Sequence, residues 1–200
     1  MRRPLLAAFL LLAACTAEEQ AASEAAAPVQ VLAARLPDRV ADQSRGPIGE
    51  PAPNLIARYR AEDGSYTSVF LTSDPGGERE PDGIAGRGIR EEFLRSIQAM
   101  ALTVQSRGGL ADRPAETTIR HPGGAELLCG AMAVAPLALA EVVCLSRIEG
   151  SVAKIRMTAI ASPHGAEATL VNAYAVAVEI ADSLRRNGNL PPGVGPIFRT

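Results

Sequence analysis

The chain has 200 residues, with 20 Lys and Arg against 22 Asp and Glu, a formal charge of −2 and no tryptophan. A mildly acidic balance without a basic block argues against nucleic acid as a partner, because neutralising phosphates needs clustered cations. Aromatics make up 4% of the residues, so stacking platforms for bases or sugars are not expected.

Met1-Arg2-Arg3 is followed by Pro4 to Ala14, a stretch without charge. This is the positive n-region and short apolar h-region of a secretory signal, assigned to residues 1–14. About 11 residues at ~1.5 Å rise span roughly 16 Å, well short of a ~30 Å hydrocarbon core, so a permanent transmembrane helix is not expected here. Loss of Arg2 and Arg3 with the signal moves the formal charge from −2 to −4.

The run Leu12-Ala13-Ala14-Cys15 ends this signal and resembles the lipobox of bacterial lipoproteins. The resemblance implies that the Cys15 thiol carries a diacylglycerol and that cleavage falls just before it. Acylation of the new amino terminus is implied too. It places the chain in the cell envelope, held by its lipidated N-terminus. Thr16 after the cysteine, in place of Asp, implies the outer membrane facing the periplasm in a two-membrane host. Two or more acyl chains give stable anchoring where one does not.

With Cys15 assigned to lipid, Cys129 and Cys144 form an even pair in an oxidising compartment. Ala125 to Val134 and Leu139 to Arg147 read as strands, and Pro136-Leu137 lies midway between the cysteines. An antiparallel hairpin centred there puts Cys129 opposite Cys144, within disulfide reach. A stapled hairpin is the preferred reading; a redox or metal role, or two buried free thiols, are the alternatives.

Residues 15–34, rich in Ala, Glu, Gln and Ser, read as a lipidated tether, and residues 35–200 as one domain. Asn54 to Ala61 and Tyr66 to Ser73 flank Asp63-Gly64, a two-residue hairpin signal. Pairing about that dipeptide would put Leu55, Ala57, Tyr59, Ser68 and Phe70 on one face. Val69 and Leu71 would share the other face with Arg58 and Arg60. Asp74 to Gly88 reads as a mobile loop.

Ile89 to about Ser106 has Ile89, Phe93, Ile97, Met100 and Val104 at helical spacing. Strands follow at Glu116 to Arg120, in the cysteine hairpin, and at Ser151 to Ala161 after a Glu149-Gly150 turn. Ala166 to Arg186 is a second amphipathic helix, started by Ser162-Pro163. Asn189 to Thr200 is an irregular Pro/Gly-rich tail.

The order hairpin, helix, antiparallel strands, helix implies an α+β domain, an antiparallel sheet covered by two main helices. In element order it is similar to the PsbP/Mog1-like sandwich. Leu36-Pro37-Asp38, then Ala57-Arg58-Tyr59 and a hairpin, resembles small uncharacterised bacterial lipoproteins. No functional residue follows from either likeness.

A search for chemistry finds no G-x-S-x-G, H-E-x-x-H or Walker-type run. His121 and His164, each beside a proline or glycine, read as exposed loop residues. Gly83, Gly86 and Gly88 lack the spacing of a dinucleotide fingerprint and read as a flexible loop. Asp74, Glu78, Glu80 and Asp82, interleaved with Arg79, lack the ligand pattern of a calcium loop. Arg147, Lys154 and Arg156 read as a basic strip on a solvated sheet face. No catalytic residue, metal or cofactor is therefore assigned. The expected role is non-catalytic: a binding, assembly or accessory domain with an envelope protein as partner. A carrier of a small apolar ligand is the alternative, and a hydrolase ranks below it.

Overall fold

A computed structural model describes residues 29–47, 54–73, 80–111, 114–122, 124–135 and 137–186. The stretch assigned to a signal, Cys15, residues 16–28 of the stretch assigned to a tether, and the C-terminal tail lie outside the described residues.

The fold is α+β: one antiparallel sheet with helices on both faces. Its strands are β1 (Arg39–Val40), β2 (Gln43–Arg45), β3 (Asn54–Arg60), β4 (Tyr66–Ser73), β5 (Leu110–Ala111), β6 (Ala115–Arg120), β7 (Glu126–Ala135), β8 (Leu139–Ile148) and β9 (Ser151–Ile160). Helix α1 (Arg87–Ser106) lies between β4 and β5, and α2 (Ala166–Arg185) follows β9. Across the sheet the order is β1-β2-β3-β4-β9-β8-β7-β5, with β6 also paired to β7. Strands β5 and β6 use different stretches of one edge of β7, so nine strands fill eight positions. Pro114, which has no N–H to give a ladder, stands directly before β6.

Turn chemistry sets the tight hairpins. Ile148 pairs with Ser151, leaving Glu149-Gly150 as a two-residue turn with φ of 49° and 75°. Two positive φ angles make a type I′ turn, whose twist matches that of the flanking strands. Cys129 pairs with Cys144, Cys144 with Ile155 and Val142 with Met157, as the alternation of β7, β8 and β9 predicts.

The first hairpin differs from its sequence reading by one residue. Arg60 pairs with Tyr66, so the connection is the five-residue stretch 61–65. The Asp63 carboxylate accepts from the Ser65 amide at 2.7 Å and from its hydroxyl at 3.0 Å, which closes this wider turn. A one-residue shift turns every side chain over. Val69 and Leu71 therefore join Ala57 and Tyr59 on the buried face, and Phe70 turns to the face that carries Arg58.

Two cores result. Helix α2 packs over β8 and β9, with Ala177, Ile180, Ala181 and Leu184 against Val142, Cys144 and Ile155. On the other face α1 covers β8, β7 and β5, with Ile89, Phe93, Met100 and Val104 against Leu128, Met132, Val143 and Leu145. Gly130 lets α1 come close, since a Cβ there would lie 2.2 Å from Ile97 Cδ1. No described helix is long and apolar enough to cross a membrane.

The last residues of the stretch assigned to a tether, 29–34, are part of the fold. Residues 29–33 are helical, and Val29, Leu32, Ala33 and Leu36 are buried in the α2-side core. Val29, Leu32 and Leu36 recur at helical spacing, but the polar and alanine-rich context conceals so short a stripe. Arg35 fastens the segment: its guanidinium donates to Leu184 O at 2.8 Å and pairs with Glu149 at 2.5 Å. Leu32→Ala should therefore destabilise the domain by about 2–5 kcal/mol, the cost of truncating a buried leucine. Urea unfolding checks this, and a true tether residue would show no change.

Candidate functional site

Of the residues singled out in the sequence, Cys15 lies outside the described residues, whereas Cys129 and Cys144 sit in the centre of the fold. They form a disulfide across β7 and β8, with Cα atoms 4.1 Å apart. Both are fully buried, between Ile155 of β9 and the α2-side core. Thiol exchange requires a nucleophile to reach a sulfur, so this position suits a staple and not a redox centre. Replacing both cysteines with alanine, or reducing the bond, should lower stability by about 3 kcal/mol in the chain-entropy account. Paired denaturation curves with and without reductant check it; equal midpoints would mean that the staple contributes nothing.

Across the sheet from the staple, the three cations read as a solvated strip each have a carboxylate partner. Arg147 is fully buried, and its Nη2 lies 2.9 Å from Glu80 Oε2. Lys154 Nζ lies 2.8 Å from Glu92 and 5.1 Å from the centre of the Phe70 ring. Arg156 reaches Glu141 at 3.4 Å, and Thr158 donates to the same carboxylate at 2.9 Å. Glu141 is fully buried, and Arg107 at the end of α1 approaches it at 3.7 Å. α1 lies over this row, so charge here must be paired to be tolerated.

The glycine-rich loop is ordered by the same network. Gly83 and Arg147 exchange backbone hydrogen bonds of 2.9 and 2.8 Å. Glu80 Oε1 accepts from the Gly88 amide at 3.4 Å, so the first turn of α1 takes the chain's own carboxylate as its anion. Asp82 accepts from the amides of Glu149 and Gly150 at 3.1 and 3.5 Å. Two of the four carboxylates considered for calcium, Glu80 and Asp82, thus serve the fold; Asp74, Glu78 and Arg79 lie outside the described residues. Among the described residues no cluster of three or more His, Cys, Asp or Glu converges as a metal site.

The histidines part company. His164 is exposed. His121 is not the exposed loop residue its sequence context suggests: its side chain is 10% accessible, with Nδ1 2.6 Å from Asp182 Oδ2. This pair ties the β6–β7 turn to the last turns of α2. The signal that could have found it is Asp182 itself, an acid next to Ala181 on the buried stripe of α2, where a partner is required.

Tyr59 and Glu92 are among the groups with shifted titrations. Burial pushes the Tyr59 hydroxyl up to about 12, and this phenol donates to Pro37 O at 2.9 Å. Burial pushes the Glu92 carboxyl up, but hydrogen bonds and charge from Lys154 and Arg95 outweigh it and hold the group below its ordinary value. A lowered carboxylate stabilises the fold above its unfolded pKa of about 4.3, and that contribution fades as pH falls through the lower folded value. The stability difference between wild type and Glu92→Gln should therefore stay constant from pH 7 to about 5 and shrink below about 4. Urea titrations at stepped pH check this; a gap that widens on acidification contradicts it.

Compared with protein-family models, curated proteins and solved structures, the chain matches none.

Proposed function

We propose that the chain is a lipid-anchored protein of the bacterial cell envelope, held through Cys15 in the outer membrane and facing the periplasm, with a binding, assembly or accessory role. The observation that carries the reading is Leu12-Ala13-Ala14-Cys15 behind Arg2-Arg3 and an uncharged run. A disulfide between Cys129 and Cys144 accords with an oxidising compartment. A non-catalytic role accords with the employment of buried and half-buried ionisable groups. Glu80, Glu141, Arg147 and Asp182 each join one structural element to another.

The test is metabolic labelling with a palmitate analogue in a two-membrane bacterium, followed by fractionation. The wild-type chain should incorporate label and fractionate with the outer membrane. Cys15→Ser should lose the label and leave the membrane fraction. Label that survives Cys15→Ser defeats the proposal.

A further inference from the structure

Helix α1 covers only part of its face of the sheet. It packs on β8, β7 and β5, and it ends at β9, where Glu92 meets Lys154. Beyond it the same face of β9, β4 and β3 forms a shelf beside the helix. The register puts Arg58, Ser68 and Arg156 in one row and Arg60, Tyr66 and Thr158 in the next. Ile56, Phe70 and Lys154 form the row on the other side of Ser68. Ser68 and Phe70 are half-buried, whereas Arg58 and Arg60 are exposed.

The charge on this shelf is lopsided. Glu92 and Glu141 neutralise Lys154 and Arg156. Arg58 and Arg60 have no ion pair among the described residues, and Glu62 and Asp63 follow Arg60 in the turn. Strand spacing of about 4.8 Å puts the backbones of Arg58 and Arg156 roughly 10 Å apart, with the Ser68 hydroxyl between them. Arg58 stands exposed in that row, and an exposed guanidinium suits an oxyanion such as a phosphodiester. An acidic chain thus carries an uncompensated cationic face, and a molecule so polarised turns that face to a negative surface.

We infer that this shelf binds the headgroups of anionic phospholipids in the membrane that holds the N-terminus. The inference rests on the proposed anchor at Cys15. Residues 16–28, 13 in all, lie between Cys15 and Val29, a residue of the core. So short a connection keeps the shelf at high effective concentration over the headgroups, where a weak basic contact is enough. A phosphate from a lipid is favoured over an acidic protein on that ground.

The test uses the chain from residue 15 onward with Cys15→Ser, so that acylation plays no part. It is mixed with vesicles of phosphatidylcholine alone or with phosphatidylglycerol added, and binding is read by cosedimentation. Binding to the anionic vesicles, weakened by salt, is expected. Arg58→Gln with Arg60→Gln should weaken it roughly 30-fold, as loss of two surface cations implies. Arg90→Gln with Arg120→Gln, which removes the same charge at the far, β6 edge of the sheet, should change it little. Equal binding to both vesicle types, or equal loss in the two double variants, overturns the inference. Retention on immobilised polyglutamate without vesicle binding also overturns it, in favour of an acidic protein. If Cys15 is labelled by palmitate yet the shelf arginines prove indifferent, the shelf assignment fails and the anchor stands.

Discussion

Strand β8 has no exposed face, and the rest of the fold is arranged around that constraint. From Ala140 to Ile148 every side chain is buried, α2 covering one side and α1 the other. Two of those side chains, Glu141 and Arg147, carry charge. A charge withdrawn from water is tolerated only with a partner and good hydrogen bonds. Arg147 accordingly draws Glu80 and the glycine loop onto the sheet, and that loop delivers the start of α1. Glu141 gathers Thr158 and Arg156 from β9 and Arg107 from the end of α1. The two ends of α1 are thus positioned by the two charges of one strand.

The faces of the sheet are consequently unlike. The α2 side is apolar, stapled by Cys129–Cys144 and extended by the helical residues 29–33. Polar contacts on that side include Arg35 to Glu149 and His121 to Asp182. The α1 side mixes an apolar patch under the helix with ion pairs at its margin. An apolar layer rewards complete burial, whereas a layer edged with charged groups can stop partway and stay wet. This difference leaves Arg58, Arg60 and Phe70 accessible on one side while Val69 and Leu71 are sealed on the other.

Much of this was legible in the residues. The spacing of Ile89, Phe93, Met100 and Val104 marks α1, and the stripe from Leu170 to Leu184 marks α2. Glu149-Gly150 marks the turn that fixes the register of β8 on β9. In the first hairpin the same kind of reading slipped by one residue. Asp-Gly signals a turn, but the Asp63 side chain closes a longer loop through Ser65, and a dipeptide does not reveal which carbonyls that carboxylate displaces. Val29 and Leu32 were hidden by their alanine-rich neighbours, because an apolar pair is recognised as core only once there is a surface to cover.

What the sequence by itself determined is therefore local: two amphipathic helices, alternating strands and tight turns. These depend on contacts within about four residues or on the period of a single element. Tertiary structure alone decided which charges are buried and with whom. Glu80 and Arg147 are 67 residues apart, and Arg35 and Glu149 are 114 apart. A surface arginine and a buried one are the same letter in sequence. The protein distinguishes them only when folding removes water from one side chain and leaves it around the other.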